Sequence, residues 1–281
     1  MQILKDPEEF QQLCLEWRAQ GRRLGLVPTM GAYHAGHQSL MYAAKAAGVR
    51  VLVSLFVNPA QFGPDEDLAA YPRHPDCDAE IARLAGADAL FVPEPQAMYA
   101  PGHSTWVEPP AQARTLCGIS RPEHFRGVCT VVLKLLLLSQ ANLAFFGEKD
   151  WQQLTLIRCM VRDLNVPVEI RGCPIVREAD GLALSSRNRY LDPEERAQAP
   201  QLQAGLRQAQ ELARRGECSA DILYAAVREH WSRHLPSGRE EYLRLVHPRS
   251  LETVETIGAG AVMACAVRLG KAQLIDNILL P

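Results

Sequence analysis

The chain has 281 residues, 47% of them hydrophobic and 22% charged, with a formal net charge of −2. That length supports a full core in one large or two moderate domains. The near-neutral balance excludes a global field that would gather nucleic acid or an anionic membrane, so any anion recognition must be local.

The start, Met1-Gln2-Ile3-Leu4-Lys5-Asp6, has no basic stretch leading into an apolar one, so no signal peptide is expected. Asp6-Pro7-Glu8-Glu9 reads as a helix start, with Asp as N-cap, Pro at the first position and a Glu placed for a capping box. That helix should run to about Gln20. Leu24, Leu26 and Val27 predict a short buried strand. Pro28-Thr29-Met30-Gly31-Ala32-Tyr33-His34-Ala35-Gly36-His37 follows, then a helical run with Leu40, Met41, Ala44 and Ala47. A strand, a tight turn and a helix N-terminus point backbone N–H groups and partial positive charge outward, which suits phosphate. Gly31 and Gly36 let the backbone approach a ligand closely. His34 and His37, three apart, can face the same anion.

Val51 to Val57 reads as a strand buried on both faces, ending in the turn-rich Asn58-Pro59-Ala60-Gln61-Phe62-Gly63-Pro64. A helix over Asp76–Ala85, a strand over Ala89–Val92 and a short strand at Thr105–Val107 come next. Gly127–Gln140 is a buried helix whose greasy part, Val128–Leu138, is too short to span a bilayer. A strand at Leu143–Phe146 runs into Gly147-Glu148-Lys149-Asp150 and a helix carrying Leu154, Ile157, Val161 and Leu164 on one face. Val166–Ile170 is a further strand.

This alternation predicts a parallel α/β sheet with helices on both faces over residues 1–175. In such folds ligands sit outside the carboxyl ends of the strands at a topological switch point. His34/His37, Asn58/Gln61 and Lys149/Asp150 all fall just after strands. Residues 176–281 differ in character. A helix starting at Asp192 must break or kink at Pro200, a second spans about Ala220–His234, and strands follow at Tyr242–Val246, Ala261–Leu269 and Gln273–Asp276. A smaller α+β domain is expected there.

Imidazole N–H groups and helix N-terminal amides stabilise charge that builds on a phosphate during transfer. Lys149 offers a mobile point charge for phosphate and Asp150 a hard oxygen ligand for Mg²⁺, although an exposed ion pair at a helix start accounts for both equally. Gln61 and Gln153 can orient a small carboxylate or hydroxyl substrate, or lie on the surface. Leu184-Ser185-Ser186-Arg187-Asn188-Arg189 can clamp phosphates, or form a polar loop before the helix at Asp192. The eight cysteines show no metal-like spacing and read as free thiols in a reducing cytoplasm.

Together these stretches resemble the pantoate–β-alanine ligase family, within a nucleotidyltransferase superfamily that shares His-x-Gly-His. The residues that carry the resemblance are Pro28 to Gly31 with His34 to His37, Phe56 to Pro59 with Gln61 to Gly63, and Tyr71 to Arg73. His124-Phe125 with Gly127, Phe146 to Asp150 with Gln152 to Leu154, Val176 to Ala183 and Ser185 to Leu191 complete the set. The resemblance implies a Rossmann-like domain, a C-terminal lid domain and a homodimer. It implies ATP-dependent condensation of pantoate with β-alanine through pantoyl adenylate, releasing pyrophosphate and AMP. It places His37, His34 and Lys149 in catalysis. ATP would meet Met30, Gly31, Ala32, Tyr33, His34, Ala35, Gly36, His37, Gly147, Glu148, Lys149, Asp150, Val176, Leu184, Ser185, Ser186 and Arg187. Gln61 and Gln153 would bind pantoate, Gln61 also β-alanine, and Asp150 Mg²⁺. Leu184 stands where the family often has Met, a volume-conserving change. Tyr33 stands where Leu is common, and the Cys77–Asp78 region is acidic in relatives, so Cys77 counts against a second metal site there. A related cytidylyltransferase, a synthetase acting on transfer RNA and a non-catalytic nucleotide-binding protein are the competing readings.

Overall fold

The computed structural model describes every residue except Asp65, Asp67 and Ala259. The chain divides into two compact units, the first comprising Met1–Ala113, Arg121–Glu148 and Leu156–Pro174. Its parallel sheet contains β1 (Gln2–Leu4), β2 (Leu24–Thr29), β3 (Arg50–Leu55), β4 (Ala89–Phe91), β5 (Leu143–Gly147) and β6 (Glu169–Cys173), in the order β1-β4-β3-β2-β5-β6. The helices are α1 (Pro7–Ala19), α2 (Ala35–Ala46), α3 (Pro75–Leu84), the single turn α4 (Pro95–Met98) and α6 (His124–Ser139); α5 (Cys117–Ser120) lies in the second unit, and α7 (Trp151–Asp163) joins the first from Leu156.

The alternation of side chains along each strand feeds two cores. On one face Leu40, Met41 and Ala44 of α2 and Ala82 of α3 pack with Val27, Val51, Val53, Leu90 and Phe145. On the other, Phe91, the neighbour of Leu90, stacks on Phe10 of α1 with ring centroids 4.4 Å apart. Each such fully buried ring contributes about 1.5–3 kcal/mol relative to exposure. From β2 the chain steps to β3 and β4 on one side, whereas β5 and β6 add on the other. The strand order therefore reverses between β2 and β5, whose register pairs Gly25 with Leu143 and Leu26 with Ala144. The loops that leave these two strands emerge side by side at the carboxyl edge.

Two sequence expectations are corrected in this unit. Thr105–Val107 is not a strand: the Val107 amide donates to the Thr130 hydroxyl at 3.0 Å instead of to a neighbouring strand. The strand expected at Val166–Ile170 begins only at Glu169, because Val166 still closes the C-terminus of α7 by bonding to Val161 O.

The second unit comprises Arg114–Ser120, Lys149–Thr155 and Ile175–Pro281. It holds α8 (Pro193–Gln198), α9 (Gln201–Arg214), α10 (Ala220–His234) and an antiparallel sheet of β7 (Gly238–Val246), β8 (Ala261–Leu269) and β9 (Ala272–Leu280), in that order. Pro200 separates α8 from α9. The capping box forms at Asp192 and Glu195, whereas Asp6 caps α1 by accepting from the amides of Glu8 and Glu9. β8 is buried on both faces. Met263, Cys265 and Val267 pack against Leu202, Leu206, Leu223 and Val227 of α9 and α10, while Val262 and Ala264 pack with Leu116, Leu251 and Trp151. Among the described residues no helix is long and apolar enough to cross a membrane.

Candidate active site

The loop after β2 turns on two consecutive left-handed residues, Gly31 (φ +91°) and Ala32 (φ +53°). This brings the amides of Ala32 and Tyr33 onto one carboxylate, Asp78 on α3, at 2.9 and 2.8 Å. Asp78 is only 2% exposed. Glycine is required at position 31 on two counts. Its φ lies where a Cβ is strained, and a Cβ would come within 2.6 Å of Leu55 Cδ1 and 2.9 Å of Asp78 Oδ2. Tyr33 is buried behind the turn, which pushes its phenol well above the usual tyrosine range.

His34 is the N-cap of α2, and its Nδ1 accepts from the Gly36 amide at 3.1 Å. His37 reciprocates, its Nδ1 accepting from the His34 amide at 3.4 Å, so two imidazoles form the capping box that Ser and Glu usually make. The rings lie 4.1 Å apart, tilted by 41°. A nitrogen that accepts an N–H carries no proton, so the neutral form of each ring holds its hydrogen on Nε2. The outward-pointing amides expected for this turn are thus corrected. Those of Ala32 and Tyr33 serve Asp78, that of Gly36 serves His34 Nδ1, and that of His37 bonds to His34 O at 2.9 Å.

Gln61 closes a 3-10 turn after β3 and is buried. Its Oε1 accepts from Asn58 Nδ2 at 3.2 Å and its Nε2 donates to Met30 Sδ at 2.9 Å, which joins this turn to the loop after β2. Asn58 is fixed in turn. It donates to Gly127 O at 3.1 Å and accepts from Tyr99 Oη at 2.9 Å, where burial holds the phenol up at about 12 and therefore protonated. The turn lies so close to α6 that a Cβ on Gly127 would stand 2.1 Å from Ala60 O. His124 Nδ1 and Arg121 reach Gln61 O, and Arg121 pairs with Glu66. Burial raises the Glu66 carboxyl, but Arg121 outweighs it and holds the group below its ordinary value. Gly147 ends β5, with open space where its Cβ would sit, and Glu148 opens the 3-10 turn that follows.

The remaining candidates lie in the second unit. Asn277 of β9 donates to Lys149 O at 3.0 Å, and its neighbour Asp276 binds Arg177 through two bonds of 2.6 and 2.9 Å. Val176 and Leu184 pair through a 3.0 Å backbone bond across the hairpin that Gly181 turns at φ +97°. Ser185 caps the 3-10 turn Ser186–Tyr190 by accepting from the Arg187 amide at 3.2 Å. Asn188 ties that turn to Glu178 and Ala183 O, each at 3.1 Å. Gln152, adjacent to the candidate Gln153, is engaged with Thr115 O and the Cys117 amide. Gln153 itself is half-buried, and Asp150 is exposed at the start of α7. Asp276 and Asn277 were not among the residues singled out in the sequence, and Asp78 was not linked there to the loop after β2. Asp78 reads there as an ordinary acid in a first helical turn, 45 and more residues from its partners.

A parallel α/β sheet with a histidine-capped loop leaving β2 at the switch point and a buried glutamine after β3 belongs to the class of folds in which ligands bind outside the carboxyl ends of the strands. Residues 2–279 match the family model described as Pantoate-beta-alanine ligase, and the chain belongs to that family. It is 60% identical over 280 residues to the pantothenate synthetase of Oleidesulfovibrio alaskensis, covering both chains in full. A pantoate-β-alanine ligase structure from Thermus thermophilus superposes with a TM-score of 0.94 at 44% identity, covering 99% of each chain. The Francisella tularensis ligase complexed with β,γ-ATP and β-alanine superposes with a TM-score of 0.81 at 33% identity, covering 99% of this chain and 97% of that one.

Proposed function

We propose that this chain condenses pantoate with β-alanine using ATP, through pantoyl adenylate, in pantothenate biosynthesis. The observation that carries the reading is the pair of histidines whose Nδ1 atoms are both engaged by backbone amides. Their Nε2–H groups are then donors without needing a positive charge, suited to the oxygens of an α-phosphate and a leaving pyrophosphate. Pantoate's carboxylate attacks the α-phosphorus, the bond to the β-phosphate oxygen breaks, and pyrophosphate leaves. The amine of β-alanine then attacks the acyl carbon, loses a proton, and AMP departs with its oxygen. In this reading His34 and His37 stabilise charge and Lys149 adds a mobile cation. Gln61, its carbonyl held by Asn58, presents an amide N–H to pantoate and β-alanine, and Gln153 serves pantoate. Met30 to His37, Gly147 to Asp150, Val176 and Leu184 to Arg187 form the ATP-contacting set.

The donor set fits Mg²⁺ only as part of the nucleotide. Asp150 is a single exposed carboxylate, and the described residues contain no group of three or more His, Cys, Asp or Glu able to hold a metal. Mg²⁺ binds through one or two carboxylates plus substrate phosphates, where it neutralises phosphate charge. We assign residues 1–175 to catalysis and 176–281 to a lid. Eight cysteines that form no disulfide among the described residues support a reducing cytoplasm, and the homodimeric state rests on the family resemblance. The test is exchange of labelled pyrophosphate into ATP. Exchange that requires pantoate, followed by amide formation on adding β-alanine, is expected; exchange with CTP alone would reject the reading.

A further inference from the structure

Two consecutive left-handed residues followed by two converging amides form a concave anion-binding arrangement, a backbone feature that elsewhere receives a phosphate. Here the anion is built in. Asp78 places Oδ2 on the Ala32 amide at 2.9 Å and Oδ1 on the Tyr33 amide at 2.8 Å, and the carboxylate is 2% exposed. The space beside Gly31 admits this contact and no side chain. The residue after Tyr33, His34, begins the imidazole capping box. The direction in which both rings leave the backbone is therefore set by a turn whose closing partner is Asp78.

We infer that Asp78 is a positioning residue for adenylation, holding the His34–His37 pair at the angle the α-phosphate requires by filling the two-amide site of the loop. A neutral water or a shorter side chain would leave two converging N–H dipoles without a counter-charge, and the turn would relax. Both carboxylate oxygens of Asp78 are thus engaged by the loop, which holds the group in place from two sides. This inference rests on Met30–His37 being the ATP loop.

The experiment uses the purified full chain and the variants Asp78→Asn and Asp78→Ala. Asparagine keeps the volume but sets an NH₂ against one of the two amides, so one bond is lost and two donors oppose each other. Displacement of a reacting geometry by about 1 Å costs on the order of 10²-fold in rate. We expect kcat for pantoate-dependent pyrophosphate exchange to fall roughly 10- to 100-fold in Asp78→Asn, with KM for pantoate within about twofold. In Asp78→Ala, formate should restore part of kcat saturably, because a small carboxylate can re-enter the vacated two-amide site; chloride at equal ionic strength should not. A folded Asp78→Asn variant with kcat within about twofold of the parent overturns the inference. So does loss of kcat that merely tracks loss of native structure by thermal unfolding in both variants, and so does a formate effect no larger than that of chloride. Absence of pantoate-dependent exchange in the parent would instead reject the functional reading on which the inference stands.

Discussion

His34 and His37 each direct Nδ1 to a backbone amide of their own helix start, which fixes tautomer and ring orientation at once. A His-x-Gly-His sequence is legible as a phosphate-friendly turn, and its glycine at 36 sits where the amide must come within 3.1 Å of an imidazole. The sequence does not disclose that the amides themselves are satisfied internally, because their main partner, Asp78, comes from another helix. The charge-stabilising role proposed for the imidazoles makes a sharp expectation for His37→Ala. Removing one preorganised donor to a developing oxyanion costs on the order of 10²–10³ in kcat, and exchange kinetics should show that loss. ATP affinity, measured by calorimetry, should change by less than about tenfold because the neighbouring contacts persist. Unchanged turnover would remove His37 from the charge-stabilising role.

At the scale of elements, most of the architecture is written in patterning: the expected helix at Asp76–Ala85 is observed at Pro75–Leu84, and the strand at Ala261–Leu269 matches residue for residue. What patterning misses is short or supported from outside. β1 has three residues and exists through its pairing with β4, Gln2 against Ala89 to Leu4 against Phe91; an edge strand that short carries no period to read. Close approach is equally silent. Nothing around Gly127 announces that α6 must pass within reach of the Asn58–Gln61 turn, yet a Cβ there would meet Ala60 O at 2.1 Å and Gln61 N at 2.7 Å, both rigid backbone atoms. Gly127→Ala should therefore destabilise by about 1–3 kcal/mol through forced backbone movement, read from the urea midpoint, and should raise KM for pantoate more than KM for ATP. The pair Arg177–Asp276 makes the complementary case. Its side chains are 18% and 1% exposed, so Asp276→Ala strands a guanidinium with little solvent and should cost about 3–5 kcal/mol. The exposed Arg83–Glu80 pair, 56% and 53% exposed, is the control: Glu80→Gln should leave the urea midpoint unmoved.

At the scale of the whole chain, sequence order and packing order part company. Residues 114–120 and 149–155 precede Ile175, yet both belong to the unit that contains β7 to β9. The reason is β8, which is buried on both faces and needs cover on the side away from α9 and α10. Leu116 and Trp151 supply it, packing with Val246, Leu251, Val262 and Ala264, and the Trp151 indole donates to Pro248 O at 3.0 Å. Gln152 then links the two segments by bonding to Thr115 O at 2.7 Å and accepting from the Cys117 amide at 3.0 Å. Composition offers no trace of this, since both segments lie among strands and helices of the first unit and no linker tract marks them. Cutting the chain after Pro174 therefore leaves Leu116 and Trp151 attached to the first fragment without their partners, while the other fragment loses the cover over Val262 and Ala264. Apolar surface left open in this way binds hydrophobic dyes and favours self-association. Residues 1–174 expressed alone should bind such a dye far more strongly than the full chain and associate with rising concentration. Co-expression with residues 175–281 should suppress both effects. A fragment 1–174 that stays monomeric by light scattering, binds no dye and unfolds cooperatively would show that the two segments are dispensable to the packing assigned to them.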